Sequence, residues 1–273
     1  MSNTTISGIS ANCGAAFDAV IRVCSFSRIM KWNYRGVTHS CWAFYWNPDL
    51  GACLEYEGNT VEMPPDRVFL IPPYTNYSSG STKPFRHLYL HFELPSPFDR
   101  VKRGILSFPA DHARQFFQQI DQNPPVHTYP LLLRLLLYPY LYRIPAEQFL
   151  NPGESTLDPR IRRATELMNS HLVRPLPNRE LCRKAGIPLN LFYREFQREL
   201  GMSPKKYLLN QRMEHARRLL IHSTDSIEEI AAQTGYADRF HFSKVFRRFY
   251  DIPPAAYREN SSGDGKKRGK KNC

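Results

Sequence analysis

Two stretches in the last third of the chain, about 188–200 and 238–250, carry side chains whose chemistry suits the edges of DNA bases. Asn190 offers an amide that can pair with adenine, and Arg194 offers a guanidinium that can donate to guanine O6 and N7. Arg239 and Lys244 offer the same kind of donors in the second stretch. Both stretches therefore predict contact with double-stranded DNA. The cations expected to meet phosphates are Arg198, Arg247, Arg248 and Lys205.

These side chains belong to two units that nearly repeat each other, at 176–201 and 226–250. In each unit a short helix is expected to end at a glycine, Gly186 or Gly235, and a second helix follows after a tight turn. Glycine adopts a positive φ at little cost, which such a turn requires. Phenylalanines four residues apart then mark the buried face of each second helix. The sequence therefore predicts two helix-turn-helix units. The phenylalanine pairs are Phe192 with Phe196 and Phe242 with Phe246.

A long helix is predicted between the two units, from about Pro204 to His222. Ser203 is its expected N-cap, and Ser226 with Glu229 forms a capping box where the second unit begins. At 1.5 Å per residue the long helix spans about 28 Å, close to the ~34 Å turn of B-DNA. It could therefore hold two recognition helices in successive major grooves. Its expected apolar stripe is Leu209, Met213, Ala216 and Leu220.

The segment Ser226–Asn260, SIEEIAAQTGYADRFHFSKVFRRFYDIPPAAYREN, resembles the signature of the AraC/XylS family of transcription regulators almost throughout. The resemblance covers about 100 residues, from 158 to 260. It implies that the outward positions of both recognition helices face DNA. The same positions remain when the buried phenylalanine face of each helix is excluded. The candidate DNA-binding residues are Leu189, Asn190, Tyr193, Arg194, Arg198, Arg239, Phe240, Ser243, Lys244 and Arg247.

The first 95 or so residues show short apolar runs separated by turn residues, a pattern typical of an antiparallel barrel or sandwich. The segments VFLIPPYTNYSSG (68–80) and RHLYLHFEL (86–94) resemble the cupin-like sensor domain of the same family. Alternation places three polar or aromatic side chains of the second segment on one face. Such a set suits the binding of a sugar. The same side chains could equally be core residues whose polar atoms are hydrogen-bonded within the protein. The candidate ligand-binding residues are His87, Tyr89, His91, Trp42, Trp46 and Tyr74, and the resemblance implies a sugar-pocket role for His87 and Tyr89.

A metal-dependent enzyme fused to a DNA-binding domain is the alternative from another functional class. The order and spacing of His87, His91 and Glu93 do not match the H-x-H and glutamate arrangement usual in metal-binding cupins. No nucleophile elbow, zinc-protease motif, P-loop or dinucleotide-binding motif is present in the sequence. We therefore expect no catalytic residues, no metal and no cofactor.

Charge and composition support an α+β protein of two domains. Of the net charge of +12, residues 1–157 carry only +1, whereas 158–260 carry 19 Lys/Arg against 12 Asp/Glu. A basic excess of this kind suits a polyanion. The predicted organisation is a cupin-like β-barrel with following helices over 1–150, a linker at 151–157, an all-α domain with two helix-turn-helix units over 158–260 and a disordered basic tail at 261–273.

The expected protein is a cytoplasmic transcription regulator, an activator or a repressor, responsive to a small effector such as a sugar. The cysteines lack regular spacing and are predicted to be reduced thiols, and no run of 18 apolar residues predicts a membrane span. Leucines between Asp111 and Leu150 predict either a homodimer contact or a helical cover for the barrel's own core. RNA polymerase is a further expected partner. The runner-up within this class is a DNA binder whose barrel only dimerises.

Overall fold

The computed structural model describes residues 17–121, 125–151 and 153–259. The N-terminal part folds into antiparallel strands that pair in two sheets, one in the order β1-β7-β2-β5-β8 and the other in the order β4-β3-β6. The tail predicted at 261–273 lies outside the described residues. The strands are β1 Val20–Ile29, β2 Trp42–Trp46, β3 Ala52–Tyr56, β4 Asn59–Glu62, β5 Arg67–Ile71, β6 Ser78–Ser81, β7 Phe85–Glu93 and β8 Leu106–Pro109.

The larger sheet is buried on both faces. Strands β2 and β7 pair at its centre, with Tyr45 opposite Tyr89 and Phe44 opposite Leu90. Side chains on the tyrosine face form a core with the smaller sheet, which contributes Leu54. Side chains on the other face form a second core with the helices that follow the sheets. Burial on both faces explains why β2 is apolar or aromatic at every position rather than alternating.

Two helices, α1 Asp111–Asp121 and α2 Tyr129–Tyr142, cover the outer face of the larger sheet. The Tyr140 hydroxyl, fully buried, accepts a hydrogen bond from the backbone N–H of Ala113 at 3.2 Å. The leucines of α2 do not form one stripe. Leu136 faces the sheet, whereas Leu131 and Leu135 are 60% and 59% exposed, because a spacing of four residues follows one side of a helix.

The C-terminal part is all helical, which confirms the predicted α+β fold class. Its long helix, Pro204–His222, runs between two cores: one contains Phe192 and Phe196, and the other contains Met213, Phe242 and Phe246. Three short 3₁₀-helices precede this part, at Phe98–Arg100, Val126–Thr128 and Ala146–Gln148. The helices are α3 Pro159–Ser170, α4 Asn178–Ala185, α5 Leu189–Leu200, α6 Pro204–His222, α7 Ile227–Gln233 and α8 Arg239–Tyr250.

The local signals predicted for this part are confirmed. Gly186 and Gly235 adopt φ of +74° and +80° at the turns between the paired helices. Ser226 accepts from the backbone N–H of Glu229, whose carboxylate in turn accepts from the Ser226 N–H at 2.7 Å. Ser203 caps α6 by accepting from a backbone N–H in its first turn. These helix ends therefore have local causes in the sequence.

Candidate ligand cavity and DNA-facing surface

A cavity of about 60 Å³ lies between the inner face of the larger sheet and helix α6. Strand β7 places His87, Tyr89 and His91 on its wall, since alternate residues of a strand share a face. Helix α6 closes the opposite side with a further set of polar residues, so both parts of the chain line the cavity. The residues from α6 are Asn210, Gln211, Glu214 and Arg217.

The cavity wall combines aromatic rings with polar atoms. The Tyr45 and Tyr77 hydroxyls lie 2.6 Å apart, and His87 Nδ1 lies 2.6 Å from Asn47 Oδ1. By contrast, among the described residues neither His91 Nε2 nor Thr38 Oγ1, both buried, has a hydrogen-bond partner. Buried polar atoms left without a partner are costly, so a bound molecule with its own donors and acceptors would stabilise them.

Charge in the cavity is balanced. Burial alone would raise the pKa of the Glu214 carboxyl, but the charge and hydrogen bonds of Arg217 outweigh it and lower the pKa to about 2. Arg217 donates to both Glu214 oxygens, at 2.5 and 2.9 Å, and to the Tyr89 hydroxyl at 2.5 Å. Burial lowers the pKa of His87 to about 3 and that of His91 well below its usual value. Both histidines are therefore neutral at pH 7, and the site suits an uncharged polar group.

Three predicted ligand residues lie away from this cavity. Trp42 and Trp46 point to the opposite face of the sheet, where Trp46 Nε1 donates to Pro65 O. Both tryptophans lie on the same face of β2 as Phe44, whereas Tyr45 lies on the face toward the cavity. Tyr74 belongs to the core around α5, and its hydroxyl lies 3.3 Å from the Thr165 hydroxyl. Because β2 is buried on both faces, its sequence does not indicate which face holds the ligand.

Sequence reasoning missed the wall that α6 provides. Glu214 and Arg217 are one helical turn apart and pair as i,i+3, which from sequence is typical of a solvent-exposed helix face. Only the docking of α6 against the sheet buries that pair. Trp32 and Tyr34, which precede β2, were also missed, because no regular pattern surrounds them.

The predicted DNA-reading residues lie on the outward faces of α5 and α8. Phe192, Phe196, Phe242 and Phe246 are fully buried, which orients the opposite face of each helix to solvent. Tyr193 is 49% and Phe240 is 74% exposed, unusual values for aromatic side chains without a partner surface. Nine of the ten candidates are exposed, and the tenth, Ser243, is half-buried. The exposed candidates are Leu189, Asn190, Tyr193, Arg194, Arg198, Arg239, Phe240, Lys244 and Arg247.

Local pairs hold several of these cations along the helix surfaces. Arg194 and Arg198 both contact the carboxylate of Glu195, at 3.1 and 2.7 Å. Arg239 lies 3.9 Å from Glu228 and over the ring of Phe240 at 4.9 Å. The Arg239–Glu228 pair is exposed on both sides and contributes little free energy, so Arg239 can exchange it for a base edge at little cost. The Glu195 carboxylate, by contrast, is buried beneath Arg194 and Arg198.

Three further features concern the described part of the chain. Nowhere within it do three or more His, Cys, Asp or Glu side chains converge as a metal site. In the same ranges, no helix has both the length and the apolar character needed to cross a membrane. The cysteines Cys24, Cys41, Cys53 and Cys182 are free thiols.

Comparison with known proteins supports the helix-turn-helix prediction for the C-terminal part. Residues 181–260 match the family described as a helix-turn-helix domain. The chain is 28% identical over 151 residues to the lactose operon transcription activator of Staphylococcus xylosus, covering 55% of this chain and 53% of that protein. It is 29% identical over 161 residues to the transcriptional activator RhaS of Citrobacter koseri, covering 59% and 56%. The chain thus spans about half the length of these relatives, and both are transcription regulators rather than enzymes.

The two-domain layout has a counterpart among solved structures. The unsaturated-fatty-acid-bound ToxT of Vibrio cholerae superposes with a TM-score of 0.66, covering 91% of this chain and 98% of ToxT at 13% identity. At that identity the likeness shows the fold alone.

Proposed function

Through its helix-turn-helix domain the chain is a member of the AraC family, and on that premise we propose that it is a sequence-specific transcription activator controlled by a small polyhydroxyl ligand. The observation that carries the DNA-binding part is the pair of helices α5 and α8, each with a buried phenylalanine face and an exposed face that carries arginines, together with Asn190 on α5 and Lys244 on α8. Such faces provide bidentate donors for bases and cations for phosphates.

The cavity supports the ligand part of the proposal. Its rings can stack on the C–H faces of a sugar, and its neutral histidines, hydroxyls and amides can pair with sugar hydroxyls. A cavity of about 60 Å³ has room for roughly five water molecules. Helix α6 supplies one wall of this cavity, so a sugar held there contacts Asn210, Gln211, Glu214 or Arg217. Ligand occupancy is thereby linked to the position of the DNA-binding half.

Two experiments test these parts separately. Selection of random duplexes by the purified protein should enrich a discrete sequence, whereas retention of all duplexes alike would refute sequence-specific binding. A thermal-shift screen of neutral mono- and disaccharides should give at least one hit, since a ligand at 100 times its Kd stabilises by about 2.7 kcal/mol. If no sugar raises the unfolding temperature, the carbohydrate assignment fails while the DNA-binding assignment stands.

A homodimer contact through α2 is part of the same proposal. Leu131, Leu135 and Tyr142 form an exposed apolar stripe at spacings of four and seven residues, and Tyr142 is 91% exposed. A symmetric contact between two such stripes would bury them and double the DNA footprint. We further assign the protein to the cytoplasm, where DNA and RNA polymerase are its partners.

A further inference from the structure

A second, polar groove of about 280 Å³ adjoins the ligand cavity on the side of β7. The two spaces share four wall residues, so they lie next to each other on either side of these side chains. The shared residues are His39, His91, Gln211 and Glu214. Beyond them the groove is lined by charged residues from both halves, notably Arg22, Glu93 and Arg218.

Most charges of the groove are already paired. Glu93 accepts from Arg22 at 3.1 and 2.7 Å, and Glu214 is engaged by Arg217. Burial lowers the pKa of His39 to about 4 and raises that of the Cys41 thiol to about 12, so both are neutral at pH 7. Each acidic side chain that lines the groove, Glu93 or Glu214, therefore already has an arginine partner.

Arg218 is a further cation that lines the groove. Its Nη2 lies 3.5 Å from His215 Nδ1, at the limit of a hydrogen bond, and its buried Nε has no hydrogen-bond partner among the described residues. No salt bridge of the described chain includes it. A half-buried guanidinium without a counter-ion is an unfavourable state, which an anionic oxygen group in the groove would relieve.

We propose that this groove is an anion subsite of the ligand cavity, with Arg218 as the residue that selects an acidic sugar, carrying a carboxylate or a phosphate, over the neutral parent. The inference rests on the proposed ligand function and specifies its chemistry. The ring of the sugar occupies the neutral aromatic cavity, and its acidic substituent reaches past His91 to the guanidinium. Ligand contact with Arg218 also places an acidic group directly against α6.

The subsite itself is tested with inorganic phosphate against chloride at equal ionic strength. Phosphate should raise the unfolding midpoint of the wild type and of Arg163→Gln to the same extent, and that of Arg218→Gln by less than half as much. Arg163 is exposed on α3 and away from the groove, so it controls for the general loss of one charge. Equal responses of all three proteins would overturn the subsite.

The ligand class is tested by calorimetry with galactose, galacturonate and galactose 6-phosphate as probes. At least one acidic probe should bind the wild type about tenfold or more tightly than galactose, given the strength of charge-assisted hydrogen bonds. Arg218→Gln should abolish that preference and leave galactose affinity unchanged, whereas Arg218→Lys should retain part of it. The two acidic probes distinguish carboxylate from phosphate.

The outcomes separate the two proposals. Equal affinity for acidic and neutral probes, or a preference that survives Arg218→Gln, overturns the assignment of Arg218 and leaves the sugar ligand intact. A phosphate response that depends on Arg218 without binding of any sugar confirms the anion subsite and refutes the carbohydrate part of the proposed function. Circular dichroism of each variant verifies that it is folded.

Discussion

Arg239 and Arg247 lie on the exposed side of the same helix, yet we predict different effects from their loss. Arg239 is near the start of α8, where it can reach guanine, and its contacts in the free protein are weak. Arg239→Ala should cost about 1–3 kcal/mol on the selected site and relax specificity at one base pair. Arg247→Ala should weaken binding to all sequences and reduce the slope of affinity against salt.

Fluorescence anisotropy at several salt concentrations, on the selected duplex and on scrambled duplexes, measures both effects. Arg163→Gln is the control, because this arginine lies outside both recognition helices. If both arginine variants lose the same affinity on scrambled and selected duplexes, the distinction between base and phosphate contacts is wrong.

The buried histidines predict that acid destabilises the fold. His87 has a pKa of about 3 in the folded chain, against 6.5 as its ordinary value. The unfolded chain takes up the proton first, so the stability from His87 is complete above about pH 6.5 and is lost as the pH falls toward 3. Between pH 7 and 5 the loss from this residue is about 2 kcal/mol. Glu214 does not contribute in this window, since its pKa is lowered from 4.5 to about 2.

Urea unfolding at pH 7 and pH 5 measures the loss. His87→Gln should show a pH dependence about 2 kcal/mol smaller than that of the wild type, while the exposed His127→Gln should match the wild type. A His87→Gln variant with unchanged pH dependence would show that His87 is already protonated or solvated in the folded chain.

How far the sequence predicts a site residue depends on what buries it. The common face of His87, Tyr89 and His91 on the cavity wall could be predicted because alternation in a strand fixes it. Trp42 and Trp46 were misplaced because both faces of β2 are apolar. Arg217 could not be found, since its burial depends on the docking of α6 against Tyr89, 128 residues away in the chain.

Elements with local stop and start signals were predicted closely. Helices α5, α6 and α8 begin and end within a residue or so of the expected positions, because glycine turns, Ser203 and proline set their ends. The short strands β4 and β6 carry few apolar residues, and their pairing with β3 is a long-range property. The face of α2 was likewise undetermined, because buried and interfacial leucines look alike in sequence.

The two faces of α2 give a matched pair of variants. Leu135→Asp should leave the chain folded and shift it from dimer to monomer, because Leu135 is 59% exposed within the apolar stripe. Leu136→Asp should instead unfold the N-terminal half, because Leu136 is buried against the sheet, where an unpaired carboxylate is costly. Circular dichroism and analytical ultracentrifugation measure both outcomes. A wild type that sediments as a monomer at tens of micromolar, with and without DNA, would refute the dimer.

At the scale of the whole molecule, the two halves are joined by polar contacts to backbone carbonyls rather than by the linker alone. Asn76 donates to Leu200 O, and Asn210 donates to Gly36 O, both at 2.9 Å. Gln211 donates to Thr38 O at 3.2 Å beside the ligand cavity. Each of these three contacts uses a side chain of one half and the main chain of the other, and the ion pairs Lys31–Asp251 and Arg103–Glu199 add charged contacts between the halves.

The segment 151–156 should be the most protease-sensitive internal site, and Arg103 should control how readily it is cut. The segment is polar and turn-forming, as expected of a protease target. Arg103 ties its end to the helical half by donating to Thr156 O and to Glu199. Arg103→Ala should therefore speed cleavage within 151–156 several-fold and release a stable fragment that begins near residue 157, where buried Leu157 joins the core around α5.

Mass spectrometry of a limited digest locates the first cut, and Arg100→Ala, on the neighbouring 3₁₀-helix, is the matched control. A first cut within 160–259, or equal rates for Arg103→Ala and the wild type, would show that the segment is not the weak point between the two halves.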